Sequence, residues 1–450
     1  MFFSRYQRRR ITRPLILLSA LLFLLDILHL TTKVSRSSST EPPIAPEQKI
    51  LIASIFRNNG RILHSHWIPS VISLIQTLGP QNVYVSIIES GSQDDTKVVL
   101  ASLQTQLQAL GVQHKIELGE TVYEQLESVS HVPEEGKREG WIFTGRGKDR
   151  TESGWELRRI PYLARLRNKA LEPLTGGKLE RDGFKVQKVL WINDVVFTTK
   201  DILALLTTRS GHYAAACSLD FAHAGSTSYY DTFALRDISG SKTSSPRFPY
   251  FSSPSSLSAL LNRSPIPVKS CWNGAVVFDA APFHSSFVAG QGWKIKNGLR
   301  FRGVDDVLAR EHVEGSECCL IHADNPLSEE VGKGVWINPA VRLGYNEAAY
   351  ISANPGTVFS NSETEGVRKI TRVDEAVREL WPGWFEVVVG TYVNRVRRWA
   401  VWLRQWSERK TVERRVARWE NAVKGRQERG TFCLVNEMQV LFENGWQHVG

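Results

Sequence analysis

Val189–Phe197 reads VLWINDVVF, with apolar residues on both sides of Asn193 and Asp194. An ionised carboxylate inside such a run is costly unless something pairs with it. The run itself is that of a strand buried on both faces. In sheets of that kind ligands gather beyond the carboxyl ends of the strands. The reading therefore turns on what the other strand ends bring towards Asp194.

Upstream, Lys49–Asn59 (KILIASIFRNN) begins as an apolar, β-rich run and ends in polar residues. Ile62–Gly79 follows with apolar residues at helical spacing. Asn82–Glu89 (NVYVSIIE) is a second strand, closed by SGSQDDT. Thr96 to Leu110 reads as helix, and Val112–Leu118 (VQHKIEL) as a third strand. Arg158–Leu174 is helical, with Pro161 near its start, where proline is tolerated. Strands alternating with helices predict an α/β fold with a largely parallel sheet. Downstream, HYAAACSLDF, CWNGAVVFDA and SECCLIHAD read as strands between long loops. Ser239–Ser258 is too long a loop for simple packing, and such loops are often functional.

The first residues differ from this body. Arg5, Arg8, Arg9, Arg10 and Arg13 precede the apolar run Pro14–Leu30. A run of about 17 residues is short but within the range of a spanning helix. The arginines place its start in the cytoplasm. No small-residue cleavage site stands out, so an uncleaved signal anchor is preferred to a cleaved signal. Lys33–Gln48, rich in Ser and Pro, reads as a flexible stem. The expected organisation is tail 1–13, anchor 14–32, stem 33–48, catalytic domain 49–370 and helical extension 371–450. A single-pass type II protein of the Golgi membrane, with a lumenal body, has this layout.

The net charge of +10 raises nucleic acid, anionic membrane or phosphate ligands as partners. Much of it sits in the tail and in Val389–Arg429, which is rich in Arg and Trp. That segment reads as one or two helices packed on the body through their Trp residues. Adsorption to anionic lipid is the functional alternative. Nucleic acid is excluded as a partner, because a lumenal protein does not meet it. Five cysteines in an oxidising compartment permit disulfides, and the odd count leaves at least one unpaired.

The strand-end candidates follow in chain order. Glu89 ends its strand and suits a ribose or nucleobase; Asp94, Asp95 and Thr96 also read as helix caps. In Ala164–Leu171 (ARLRNKAL), Arg165 and Lys169 share one face, while Arg167 and Asn168 project elsewhere. These residue types suit a diphosphate, or a solvated helix face. A divalent cation, Mg²⁺ or Mn²⁺, shared with substrate phosphates is the natural partner for Asp194. Hydrogen bonds to backbone amides are the alternative. Asn273-Gly274 allows close backbone approach to a ligand, Asp305-Asp306 stands where a helix starts, and His322 ends an apolar run.

Long stretches of the chain closely resemble the fungal capsule-associated mannosyltransferases of glycosyltransferase family 69. They are Asn58–Thr96, Arg158–Leu174, VLWINDVVF, SCWNGAVVFDA, SECCLIHAD and the end FCLVNEMQVLFENGW. The resemblance implies a GT-A type nucleotide-sugar-binding fold, a GDP-mannose donor, a divalent metal and retaining α-1,3-mannosyl transfer to a glycan acceptor. It implies Asp194 and His322 as metal ligands, although Ile192 and Asn193 stand where many such motifs carry aspartate. Glu89, Asp94, Arg167, Asn168, Lys169 and Asn193 then face the donor. Trp272, Asn273, Gly274 and Asp231 face the acceptor, with Trp272 stacking on a sugar ring. Asp305, Asp306 and Asp220 are the catalytic candidates. Rival readings are an inverting transferase using another nucleotide sugar, and an inactive glycan-binding Golgi protein.

Overall fold

The computed structural model describes residues 14, 16–25, 48–119, 121, 124, 127, 130–145, 154–225, 227–284, 298–361, 366–442 and 445–449. Much of the expected anchor and stem therefore lies outside the described residues. Of the anchor run, residues 16–25 are helical and largely exposed. Among the described residues no helix is long and apolar enough to cross a membrane.

Nine strands form one mixed sheet. They are β1 (Ile50–Phe56), β2 (Val83–Glu89), β3 (Gln113–Leu118), β4 (Lys188–Ile192), β5 (Ala215–Phe221), β6 (Arg236–Asp237), β7 (Ile266–Ser270), β8 (Ala275–Asp279) and β9 (Val335–Gly344). The spatial order is β3-β2-β1-β4-β8-β5-β9-β7-β6. β3, β2, β1 and β4 run parallel, as does the β5–β9 pair. β8 is antiparallel to both of its neighbours, and β7 to both of its own.

The alternation within each strand explains the layering. Leu51, Ala53, Val189, Trp191, Val276 and Phe278 face one core; Ile50, Ile52, Leu190, Ile192, Ala275 and Val277 face the other. Strands buried on both faces must be apolar on both, which is why VLWI shows no period of two. Helices cover the two faces. α1 (Ile68–Leu78), α2 (Thr96–Ala109) and α4 (Thr199–Leu206) pack on the second face, and α3 (Arg159–Thr175) on the first. A capping box between Thr198 and Asp201 starts α4 just past the site segment.

Two readings are corrected. Ser239–Ser258 is not loop throughout: α5 (Pro254–Leu261) begins inside it, and Tyr250 and Phe251 are core residues. Cys318–Asp324 is not a strand. After the short α6 (Asp306–Ala309), it forms α7 (Glu317–Asp324), started by Ser316, whose hydroxyl accepts from the Cys318 amide. Its residues Glu317–His322 are all buried, whichever side of the helix they occupy, so no helical period shows.

After α8 (Glu347–Ala353), the basic segment is one long helix, α9 (Trp384–Ala422). It docks through Val387, Val388, Val412 and Val416. Three of its tryptophans, Trp384, Trp402 and Trp406, are exposed, contrary to the expected packing. A third core joins α6, α7, Val412 and Val416 to Cys433, Leu434 and Met438. Disulfides link Cys217 to Cys271 and Cys319 to Cys433, and Cys318 is free and buried.

Candidate functional site

Register places six chain segments along one edge of the sheet. Phe56 pairs with Glu89, Ile192 with Ala275, and Leu343 with Asp220. The turns after β1, β2, β4 and β9, the end of β5 and the start of β8 therefore meet at the carboxyl edge.

Asn193 and Asp194 follow β4 directly and are half-buried. The Asn193 amide donates to the Gly274 carbonyl (2.8 Å), and Trp67 Nε1 donates to the Asn193 carbonyl (3.0 Å). The backbone is thus fixed from two sides. Asp194 Oδ2 accepts from Asn59 Nδ2 at 2.7 Å. Burial raises its carboxyl to about 6 despite that hydrogen bond. Its partner within the protein is a neutral amide, which leaves the negative charge uncompensated.

Two more carboxylates stand nearby in the fold. Asp220, fully buried on β5, accepts from the Tyr345 hydroxyl (3.0 Å) and from the Asp231 amide (3.4 Å). Tyr345 OH in turn accepts from Asn193 Nδ2 at 3.4 Å. Burial, then the neighbouring Asp231 charge, push Asp220 to about 7; burial pushes Asp231 to about 6. Asn273 Nδ2 donates to the Asp231 carbonyl (3.3 Å), while its Oδ1 is buried without a partner. Gly274 has φ +63°, and a Cβ there would lie 3.3 Å from both Asp220 Cβ and Leu343 Cβ. Only glycine lets β8 start this close to β5. The structure thus brings together Asn193, Asp194, Asp220, Asp231, Asn273 and Gly274.

Glu89 and Asp94 form a neighbouring loop network. Glu89 Oε1 accepts from the Ser92 amide (2.6 Å) and Oε2 lies 3.4 Å from Lys97. Asp94 accepts from the amides of Gly60 (2.9 Å) and Thr96 (3.1 Å). Thr96 Oγ1 also accepts from the Asn59 amide (2.8 Å). Asp94, Thr96 and Ser92 hold the Asn58–Gly60 turn, and hence Asn59, in place beside Asp194, and Glu89 braces the Ser92 loop.

The remaining candidates lie elsewhere. Arg167 is buried in the first core, bonded to Glu317 (3.0 Å) and 4.4 Å from the Trp272 ring centroid. Trp272 is only 2% exposed, enclosed by Trp191, Phe278, Phe301 and Arg167. It offers no free face to a sugar, which corrects that expectation. Asn168 straps the Phe301 backbone through both ends of its amide (2.8 and 2.9 Å). Lys169 pairs with Glu117 on β3. Asp305 caps α6 through the amides of Val307 and Leu308 and accepts from Trp419 Nε1. Asp306 accepts from the buried Arg158 (2.6 Å) and from the Gly140 amide (2.9 Å). His322 lies on α7, stacked on Phe278, with Nε2 against the Cys271 carbonyl (2.7 Å). Burial lowers it to about 4. Among the described residues, Cys217, Cys271 and His322 are the grouping close enough to ligate a metal, but the two sulfurs are bonded to each other.

Asn59, Trp67 and Tyr345 were missed as site residues. Asn59 and Tyr345 sit just past strand ends, so the rule that singled out Asp194 applies to them too. Trp67 lies in a π-turn ahead of α1 and carried no such signal.

A hard oxygen donor half-open at the strand ends, with neutral amides around it, fits a small divalent cation held jointly with substrate phosphates. Fold and site together define an α/β protein with a cluster of carboxylates and amides at the carboxyl edge of its sheet. The chain belongs to the family described as Cryptococcal mannosyltransferase 1, which matches residues 49–324, more than half of its length. It is therefore a glycosyltransferase of a mannosyltransferase family. No curated protein matches it. Among solved structures it is similar to the mannosyltransferase PcManGT from Pyrobaculum calidifontis in complex with GDP-Man and Mn²⁺. That pair shares 9% identity over 74% of this chain and 67% of the other, with TM-score 0.35. It is also similar to TarS of S. aureus, at 11% identity over 65% of this chain and 61% of that one, TM-score 0.32. For TarS in complex with UDP the values are 11%, 64%, 60% and 0.31. Likenesses this loose add no weight to the functional argument.

Proposed function

We propose that the chain transfers a mannosyl residue from GDP-mannose to a glycan acceptor, forming an α-1,3 linkage with retention. The site is that of a GT-A type fold, and the body works in the Golgi lumen behind a type II anchor. The observation that carries this reading is Asp194, placed just past the end of β4 with the neutral Asn59 amide donating to its carboxylate. Family membership supports the mannosyl group and the donor class.

Asp194 holds the cation, Mn²⁺ or Mg²⁺, with Asn193 beside it. When bound, such an ion neutralises the charge that builds on the departing diphosphate. Asn59 orients the Asp194 carboxylate, and Trp67 and Gly274 fix the backbone that carries it. The Asn58–Gly60 turn and the loop after Glu89 supply amide and carboxylate groups to the nucleoside. Asp231 lines the acceptor side, with the enclosed Asn273 and Gly274 supporting it from behind. Asp220, enclosed and bonded to Tyr345, acts from behind by holding the Tyr345 hydroxyl against Asn193. Holding donor and acceptor against this fixed frame supplies the proximity gain. His322 is not part of this ligand set, because its ring is enclosed and its Nε2 is engaged by a carbonyl.

The test is turnover of GDP-mannose by the full chain, with and without EDTA, against other nucleotide sugars. Asp194→Ala is expected to lose about 100-fold or more in rate, the scale seen when one charge-stabilising group is removed. Its circular dichroism should not change. Normal transfer by this variant ends the site assignment. NMR of the product anomer checks retention.

A further inference from the structure

Tyr230 borders the carboxylate cluster and is 57% exposed, although the chain on both sides of it is fixed. Tyr229 is buried, bridges to Phe221 at the end of β5, and donates its amide to the Pro246 carbonyl (2.7 Å). The Tyr230 amide donates to the Asp220 carbonyl (3.1 Å), and its own carbonyl accepts from the Thr232 amide (3.1 Å). Asp231 Oδ1 accepts from the amides of Phe233 (3.1 Å) and Ala234 (3.2 Å). The Tyr230 ring packs on Tyr345, 4.5 Å between centroids. Tyr345 is the residue whose hydroxyl reaches Asp220 and Asn193. A lone exposed aromatic is ordinary surface. One held outward by its backbone and backed by a residue of the site is a contact arranged in advance, which lowers the cost of binding.

The charges around this ring say what it can meet. The Tyr230 hydroxyl is raised first by partial burial and then by Asp194, Asp220 and Asp231. Arg159 acts in the opposite sense, but it is engaged elsewhere. It lies over the Trp446 ring (4.5 Å to the centroid), and its Nη1 donates to Gln439 Oε1 (2.7 Å). The space beside Tyr230 is therefore acidic. It repels an anionic group and suits a neutral one rich in hydroxyl donors.

The strand order decides which substrate lies there. β2, β1, β4, β8 and β5 are neighbours in that order. At about 4.8 Å per strand, Asp194 after β4 stands about 10 Å from β2 on one side and about 10 Å from β5 on the other. The turns given to the nucleoside follow β1 and β2, whereas Tyr230 is tied to β5. A donor with its nucleoside over β2 and its diphosphate at Asp194 leaves the β5 side to the acceptor.

We propose that Tyr230 is the platform on which a neutral pyranose ring of the acceptor stacks. This rests on the glycosyl-transfer reading above and gives the acceptor a chemical class. One side of a pyranose presents C–H groups, and the negative face of an aromatic ring attracts them while both surfaces leave water. The sugar's hydroxyls then point to the acidic surroundings, where carboxylates accept from them. Tyr230 thereby selects an uncharged sugar over an acidic one and holds it on the β5 side of Asp194.

The test uses the full chain, with the methyl α-glycosides of mannose, glucose and galactose and methyl glucuronide as probes. Saturation-transfer NMR reads binding without any donor. We expect at least one neutral glycoside to bind, with the strongest transfer to the protons of one ring face. Tyr230→Ala should weaken that binding about tenfold, and Tyr230→Phe, which keeps the ring, should restore most of it. Circular dichroism checks that both variants fold. In the transfer assay, Tyr230→Ala should raise the KM for the best-binding glycoside about tenfold more than the KM for GDP-mannose. Binding through Tyr230 by a wild type that does not turn over GDP-mannose supports the platform while the mannosyl-transfer reading fails. Turnover by a wild type whose glycoside binding and KM are unchanged in Tyr230→Ala overturns the platform alone. Four other results overturn it: no probe bound, the glucuronide bound more tightly than the neutral sugars, Tyr230→Phe as weak as Tyr230→Ala, or a loss confined to GDP-mannose, which would place the ring under the nucleobase.

Discussion

Asp194, Asp220 and Asp231 share one cause for their raised pKa values: burial without a cationic partner of their own. A carboxyl raised in the fold makes ionisation cost stability. Its contribution is complete below the unfolded value and is lost as pH rises through the folded value. For Asp220 that loss accumulates from 3.8 up to about 7, and for Asp194 and Asp231 from 3.8 up to about 6. His322, held at about 4 by burial, acts in the opposite sense between 4 and its ordinary value of 6.5. The clean measurement is therefore a difference. Asp220→Asn should raise Tm relative to wild type near about pH 8, and that advantage should shrink as pH falls from 7 towards 3.8. Thermal melts without divalent cation check this; an advantage that does not depend on pH removes the buried charge as its cause.

At the scale of elements, the meeting of β4, β5 and β8 depends on one backbone conformation. Gly274 at φ +63° starts β8, and a methyl group there would crowd Asp220 Cβ and Leu343 Cβ. Gly274→Ala should cost about 1–2 kcal/mol from the left-handed conformation alone. It should also displace Asp220 and lower turnover. Denaturant unfolding together with the transfer assay checks both. The same segment shows why elements were only partly legible. VLWINDVVF and CWNGAVVFDA announce their strands through apolar runs with polar ends. SECCLIHAD has an equally apolar run but forms a helix, because a short buried run carries no period that separates the two. The Ser316 cap was the available clue.

Over the whole molecule, residues far apart in the chain close the structure. The family match ends at residue 324, yet β9 lies beyond it, pairs with β5 and β7, and delivers Tyr345 to the site. The Cys319–Cys433 disulfide spans 114 residues, and buried Arg236 bonds the carbonyls of Phe432 (2.7 Å) and Cys433 (2.9 Å). Cys433→Ser should lower stability by about 2–5 kcal/mol, the usual effect of losing a native disulfide. A melt of the variant against wild type, both oxidised, checks this; an unchanged Tm means Arg236 and the third core hold the end of the chain without it.

The amino-acid order by itself determined the alternating strands and helices, the polar residues that end each strand, and the position of Asp194 at one of those ends. These are local: apolar runs, turn residues and strand ends are written within a dozen residues of each other. Only the tertiary structure decided which of those polar groups meet. It joined Asp194 to Asn59 across two strands and Asp220 to Tyr345 across 125 residues of chain. It enclosed Trp272 and His322, and it turned the tryptophans of α9 outward. Burial and hydrogen-bond partnership are properties of packed neighbours, and a residue's neighbours in space are set by the register of the sheet and the docking of helices on it.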